Sequence, residues 1–203
     1  MKIICIGRNY LDHVAEMKSS LPDRPLFFMK PETALTRAKM PFFYPGFSQE
    51  VHYEAELVIR IGKVGKNIRK KFARNYYDAV ATGLDFTARD LQQRCIREGL
   101  PWEMAKSFDG SAAVGAFVPF DQLNNPEEIT FSLRKNGRVV QQGSSTQMIF
   151  GFDDLIAHVS GYVTLKTGDL LFTGTPSGVG PVVPGDLLEL YLGHEKNLSI
   201  SVK

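Results

Sequence analysis

The stretch "EVHYEAELVIRIGK", residues 50–63, constrains this chain more than any other. Its aliphatic, β-branched and aromatic residues give it the composition of a buried strand. Side chains alternate between the two faces of a strand. Tyr53, Ala55, Leu57, Ile59 and Ile61 therefore share one apolar face, and His52, Glu54, Glu56 and Val58 share the other. Two neighbouring carboxylates on one face of a core strand need solvent or a compensating charge. Solvent is the commonplace answer in an antiparallel sheet. A buried pair needs a cation.

A second acidic position bears on that choice. In "GLDFTARD", Asp85 ends an apolar strand, where a buried carboxylate needs a partner. Glu54, Glu56 and Asp85 converging would form a hard, all-oxygen site. Such a site suits Mg²⁺, Mn²⁺ or Ca²⁺ rather than zinc, which prefers nitrogen and sulfur.

Other residues have the right types for catalysis. His13 and Glu16 are spaced i, i+3, so one helical turn places them side by side. A carboxylate beside an imidazole fixes its tautomer, which suits a general base; the alternative is an exposed surface pair. Lys106 lies among apolar neighbours in "PWEMAKSFDG" and can face an anion or a developing enolate; the alternative is a lysine whose head reaches solvent. "TGTPSGVG" (173–180) follows a strand and lets backbone and hydroxyls approach a ligand, or is a tight β-turn. It matches neither GxxxxGK[ST] nor GxGxxG. There is no GxSxG elbow and no HExxH. His52, His158 and His194 lack ligand spacing and are expected to be ordinary surface or packing residues. The basic run from Lys63 to Arg74 is expected to be a solvated loop, because basic charge is not sustained elsewhere.

Length and charge bound the class. With 203 residues, the chain is expected to be a single domain, 1–203, with a sizeable core. A net charge of +2 provides no global field to recruit nucleic acid or acidic lipid. "MKIICIGRNY" is too short an apolar run for a signal peptide, and no run approaches the ~18 residues of a membrane helix. Cys5 and Cys95 are in neither CxxC nor zinc spacing. Two isolated thiols without an export signal point to a reducing cytoplasm, with a Cys5–Cys95 disulfide as the alternative.

Along the chain, "KIICI" (2–6) and "PLFFMKP" (25–31) read as strands, with "DHVAEM" (12–17) between them as one or two helical turns. Residues 36–50 read as loop or short strands, and "VATGLDFTARD" (80–90) as strand passing into helix. "ARDLQQRCIREG" (88–99) is helix-forming and closed by Gly99. "ITFSLRKNGRVVQQGS" (129–144) predicts a hairpin turning at Asn136-Gly137. "STQMIFGFDDLIAHVSGYV" (145–163) predicts a helix with Met148, Phe152, Leu155, Ile156 and Val159 near one face. "GDLLFTG" (168–174), "GDLLELYL" (185–192) and "LSISV" (198–202) read as strands between Gly-rich turns. Many short strands with few helices make one mixed, β-dominated domain.

"GRNYLDHVAE", "FMKPETAL", "VHYEAELVIRIGK", "GLDFTARDLQ", "KSFDGSAAVG", "STQMIFGFDDLIAHVS" and "GDLLFTGTPSGVGPVVPGD" occur in this order. With this ordered set, from about residue 3 to the C-terminus, the chain resembles the fumarylacetoacetate hydrolase family, especially its small acylpyruvate hydrolase and oxaloacetate decarboxylase branch. The resemblance implies a β-rich α+β fold, a mixed β-sandwich roll, assembled as a homodimer. It implies Mg²⁺ or Mn²⁺ held by Glu54, Glu56 and Asp85. It places Lys106 in the active site and makes His13 and Glu16 a lid-borne dyad that activates water. Arg89 and Gln92 match positions that contact the substrate's carboxylate and keto end, and Thr175 matches a substrate-contacting threonine. The implied reaction is metal-dependent hydrolysis of a C–C bond in acylpyruvates such as acetylpyruvate or fumarylpyruvate. Oxaloacetate decarboxylation, oxaloacetate keto–enol tautomerisation and 2-hydroxyhepta-2,4-diene-1,7-dioate isomerisation are the alternatives. A protein that binds metal or keto acid without turnover is the non-enzymatic one. No counterpart of the large N-terminal domain of the family's founding member precedes the first strand, so fumarylacetoacetate itself is not the expected substrate.

Overall fold

A computed structural model describes residues 1–17, 20–36 and 40–203. Along these run β1 (Ile3–Ile6), α1 (Leu11–Glu16), β2 (Phe27–Lys30), β3 (Val51–Tyr53), β4 (Ala55–Ile61), β5 (Tyr77–Asp85), β6 (Thr87–Ala88), α2 (Arg89–Glu98), α3 (Glu103–Lys106), β7 (Ala112–Val114), β8 (Val118–Pro119), β9 (Thr130–Lys135), β10 (Arg138–Ser144), α4 (Phe152–Tyr162), β11 (Leu170–Phe172), β12 (Gly180–Pro181), β13 (Leu187–Leu192) and β14 (Glu195–Ser201). The fold is mixed α+β and rich in strand, as expected. The loop expected over 36–50 falls partly, at 37–39, outside the described residues.

Seven strands form the main sheet in the order β2-β1-β11-β4-β5-β7, with β8 also on β5. Only the β1–β11 pair within it is parallel. A second sheet runs β10-β9-β13-β14, and a small third runs β12-β3-β6. β13 shows the alternation of a half-buried strand: Leu188, Leu190 and Leu192 point in, while Leu187, Glu189 and Tyr191 are exposed or half-buried. Leu57, Ile59 and Ile61 of β4 pack with Leu133, Leu188 and Leu190 in the main core. Val58, on the other face, packs with Ile3, Cys5 and Phe172 in a second cluster. β4 is therefore covered on both sides, and solvent is not what meets its carboxylates. Gly83 on β5 makes this close stacking possible, since a Cβ there would lie 2.6 Å from Val58 and 2.8 Å from Phe172.

The structure corrects two expectations. The strand expected over 50–63 is broken at Glu54: β3 belongs to the small sheet and β4 to the main one. The helix expected over 145–163 begins only at Phe152. Gly151 is its N-cap, and Asp153 and Asp154 lie in its first turn, where carboxylates complement the helix dipole. Residues 145–147 form a separate 3₁₀ turn closed by a Ser144–Gln147 capping box. The hairpin forms as read, with Asn136 at φ 52° and Gly137 at φ 79°, the left-handed pair of a type I′ turn. Gly99 closes α2 at φ 66°. Among the described residues, no helix is long and apolar enough to cross a membrane. Cys5 and Cys95 are buried free thiols, so the disulfide alternative falls.

Candidate active site

The break at Glu54 builds the site. Between two sheets, Glu54 leaves the strand alternation, and its carbonyl accepts the Asp85 N–H at 2.9 Å. Glu56 enters β4 opposite Gly83, and Asp85 is the last residue of β5. One oxygen from each of Glu54, Glu56 and Asp85 lies within 4.8 Å of the others, all three residues buried.

Three buried cations answer the three carboxylates. Lys106, at the end of α3, donates to Glu54 Oε2 at 2.7 Å and to Asp85 Oδ2 at 2.9 Å. Arg89, the first residue of α2, donates through Nη2 to Glu54 Oε1 at 2.6 Å and through Nη1 to Gln92 Oε1 at 2.5 Å. Lys30, at the end of β2, has its Nζ 2.7 Å from Asp85 Oδ1 and donates to Ser111 O and Ser111 Oγ at 3.0 Å each. It also contacts the Lys106 carbonyl, which the Ser111 hydroxyl shares.

The carboxyls respond in opposite directions. Burial alone would raise Glu54, but Lys106, Arg89 and His13 outweigh it and hold its pKa far below the usual range. Burial raises Glu56, and the Asp85 and Glu54 carboxylates push it the same way, well above the usual range. Burial lowers Lys106, yet Asp85 and Glu54 outweigh it and raise it, so it stays an ammonium.

A divalent cation fits this set. All donors are carboxylate oxygens, the ligand class of hard cations. Asp85 Oδ1 is buried and lacks a hydrogen bond; Lys30 touches it as an ion pair outside hydrogen-bonding alignment. Burial, Asp85 and Glu54 all favour the protonated form of Glu56, and a cation beside it would offset them.

His13 and Glu16 form a buried-to-half-buried pair on α1, not the exposed pair weighed above. His13 Nδ1 lies 3.0 Å from Glu16 Oε2. Glu16 Oε1 accepts the Gly178 N–H at 3.0 Å, which ties α1 to the loop 173–180. With Nδ1 engaged by Glu16, no hydrogen bond of Nε2 is seen among the described residues. His13, Glu54, Arg89, Gln92, Trp102 and Lys106 line a small cavity of about 40 Å³. That is room for a few waters, less than a four-carbon acid fills. A larger cleft of about 280 Å³ beside it, lined by Leu26, Phe28, Pro101 and Trp102, is mostly apolar and holds none of the reactive groups.

The hydroxyl of Thr175 is occupied. It donates to Ala55 O at 2.8 Å and accepts from Gln141 Nε2 at 2.9 Å. Gln141 also accepts the Ala55 N–H, so this hairpin residue braces both the carboxylate strand and the loop. Sequence reasoning missed Gln141, Lys30 and His52. Lys30 carried one signal, a lysine closing an apolar strand before Pro31. His52, expected to be ordinary, lies with Nδ1 3.4 Å from Arg89 Nε and Nε2 2.9 Å from Glu50.

The family model for fumarylacetoacetate (FAA) hydrolase C-terminal matches residues 2–200. The chain belongs to the fumarylacetoacetate hydrolase family. Within this family it is similar to the mitochondrial oxaloacetate tautomerase of Mus musculus, at 41% identity over 99% of the chain and 91% of the mouse protein. It is 40% identical to an oxaloacetate tautomerase of Escherichia coli, over 95% of the chain and 89% of that protein. Its fold is similar to the crystal structure of fumarylpyruvate hydrolase from Pseudomonas aeruginosa in complex with Mn²⁺ and pyruvate. The TM-score is 0.93 at 37% identity, over 100% of the chain and 89% of that one. Relatives within the fumarylacetoacetate hydrolase family are thus enzymes of small keto acids.

Proposed function

We propose that this protein interconverts the keto and enol forms of oxaloacetate with a divalent metal. This departs from the acylpyruvate cleavage first expected from the motifs, because two relatives at 40% identity or above carry the tautomerase name. The observation that carries the reading is the charge arrangement of the buried cluster beside the small cavity. In the buried cluster Glu54, Glu56 and Asp85 face Lys30, Lys106 and Arg89, and Arg8 adds a further cation at the cavity wall. A divalent cation added to that set leaves an excess of positive charge, the complement of a dicarboxylate.

Mg²⁺ or Mn²⁺ on Glu54, Glu56 and Asp85 supplies a Lewis acid for the 2-keto oxygen. The chain's own residues do the rest. Arg89, steadied by Gln92, binds a substrate carboxylate, with Thr175 shaping the wall of the loop. His13, its Nδ1–H donated to Glu16, takes the C3 proton at Nε2. The electron pair moves to the C2 oxygen, where the Lys106 ammonium stabilises the developing enolate. The proton then returns to that oxygen from imidazolium; the reverse path regenerates the ketone. A protein that only sequesters keto acid has no use for the His13–Glu16 pair.

The test follows enol absorbance of oxaloacetate with Mg²⁺, against the same buffer without protein and with chelator. Acceleration of the approach to keto–enol equilibrium without pyruvate release is expected. Release of pyruvate from oxaloacetate would mark decarboxylation instead. A second reading, acylpyruvate hydrolysis, is favoured by the likeness to the Pseudomonas aeruginosa fumarylpyruvate hydrolase. In it His13 deprotonates water, the water attacks the distal carbonyl, and the C–C bond breaks to leave pyruvate enolate. Loss of acetylpyruvate absorbance with no effect on oxaloacetate would install that reading. We also infer a homodimer in a reducing compartment such as the cytoplasm, consistent with two free buried cysteines; light scattering in solution tests the former.

A further inference from the structure

We propose that His52 is a positioning residue for Arg89, holding the guanidinium in the orientation that receives a substrate carboxylate; the inference rests on the carboxylate-binding role given to Arg89 above. His52 is half-buried and does not line the small cavity, so it acts through a neighbour. That neighbour is Arg89, whose Nε donates to His52 Nδ1 at 3.4 Å. A guanidinium only donates, so Nδ1 is the bare, accepting nitrogen of a neutral ring. The ring hydrogen then sits on Nε2, which donates to Glu50 Oε1 at 2.9 Å. Glu50 thus fixes the tautomer that Arg89 needs.

The other partners of Arg89 show what this contact adds. Nη1 donates to Gln92 and Nη2 to Glu54 Oε1. Those bonds hold the two outer nitrogens, and the His52 bond holds the inner one. Each outer nitrogen carries a second N–H, which leaves two donors for a carboxylate. Without an acceptor at position 52, the Nε–H of a buried side chain loses its partner, and the fork is free to turn about its long axis. The backbone is gripped by the same segment. The Arg89 N–H donates to Glu50 O at 2.7 Å, and Val51 and His52 pair with Ala88 and Thr87. Asp90 accepts from Ser48 Oγ at 2.7 Å and from the Gln49 N–H at 2.9 Å. Residues 48–52 therefore clasp the start of α2, and His52 extends that grip to the Arg89 side chain. The same short segment runs directly into Glu54, so it places both a candidate ligand and the cation beside it.

The experiment measures kcat and KM for oxaloacetate with Mn²⁺, and oxalate affinity by calorimetry, in the unaltered protein, His52→Phe, His52→Asn and Arg89→Lys. Phenylalanine keeps a ring and removes the acceptor; asparagine restores an acceptor at the δ position. A carboxylate is held alike in ground and transition states, so KM should rise with kcat little changed. His52→Phe should raise KM, and weaken oxalate, by about 5–10-fold, the size of one hydrogen bond. His52→Asn should recover most of that loss, and Mn²⁺ affinity should hold in both. Unchanged KM and oxalate affinity in His52→Phe would overturn the proposal. So would failure of His52→Asn to recover them, or a joint fall of kcat, Mn²⁺ affinity and melting temperature, which marks a merely structural role in β3. Arg89→Lys separates this inference from the reading beneath it. If it leaves KM and oxalate affinity unchanged, Arg89 does not hold the carboxylate and both fall. If it weakens them while His52→Phe does not, only the role of His52 falls. Oxalate weakened in His52→Phe and recovered in His52→Asn, with no tautomerisation by any form, would uphold His52 and drop the tautomerase reading.

Discussion

Replacing Lys30 with Met removes one ammonium from a buried cluster of three carboxylates and three cations. The Lys30 side chain is fully buried, with Nζ 2.7 Å from Asp85 Oδ1. Methionine keeps the length and the apolar stem, so little volume is lost and the effect is electrostatic. Asp85 retains Lys106 at 2.9 Å, while Ser111 loses a donor to its carbonyl and another to its hydroxyl. Breaking a buried pair by removing one partner costs about 3–5 kcal/mol. Glu56, already pushed upward by burial, Asp85 and Glu54, relieves part of the excess negative charge by holding its proton. The lower end, about 3 kcal/mol, is therefore expected. For a chain of this size that is roughly 6–12 °C of melting temperature. Melts in chelator and in Mn²⁺ measure it. Mn²⁺ should recover more of the melting temperature in the variant than in the unaltered protein, since its ligands then carry one more uncompensated charge. An unchanged metal-free melting temperature, or a smaller Mn²⁺ shift in the variant, would refute this account of Lys30.

Glu56→Gln keeps volume and removes a ligand charge; Mg²⁺ affinity should collapse with the fold intact, and unchanged affinity by calorimetry would remove Glu56 from the site. His13→Ala should lower the tautomerisation rate constant by ~10²–10⁴-fold, the range for loss of a general base, while metal affinity holds; near-normal turnover would assign the base elsewhere. The Glu56 carboxyl is raised in the folded state, so its protonated form stabilises the metal-free fold at low pH, and that contribution disappears as pH rises through its folded pKa. Mg²⁺ competes with this proton, so affinity should climb with pH across the same window and then level off; a flat profile counts against Glu56 as ligand. Glu54, held low mainly by Lys106 and Arg89 against the effect of burial, acts in the opposite sense and loses its contribution only in strong acid.

Local chemistry was legible wherever it is local. Asn136-Gly137 announced its own turn, and Gly99 its own helix end, because each depends on backbone freedom at one residue. The residue types at Glu54, Glu56 and Asp85 pointed to a set of converging acids, and the structure brings one oxygen of each within 4.8 Å of the others. The break at Glu54 was not legible: every residue from 51 to 61 suits a strand, and only the division between two sheets interrupts it. The start of α4 was misplaced because Met148 keeps the helical spacing, while Gly151 and the Ser144–Gln147 box set the true boundary. Lys30 was invisible as part of the site because its partners lie 55 to 81 residues away. The tie of Glu16 to Gly178 likewise spans 162 residues.

The parallel pairing of Ile3 with Leu170 has a consequence for how the chain folds during synthesis. β1 and β2 can pair early, Ile3 opposite Lys30, as a local antiparallel unit. The other edge of β1 is then an unpaired row of backbone donors and acceptors on "IICI", a template for misassociation. Its partner β11 is made some 140 residues later, roughly 7–28 s at ordinary elongation rates. Lys2 and Asp169, 167 residues apart, bond in the same late step. Until then Thr175 and Gly178 do not exist to brace the carboxylates or hold Glu16. Pairings this distant in sequence fold slowly. Slower growth at lower temperature, or a holdase chaperone covering that edge, should therefore raise the soluble yield.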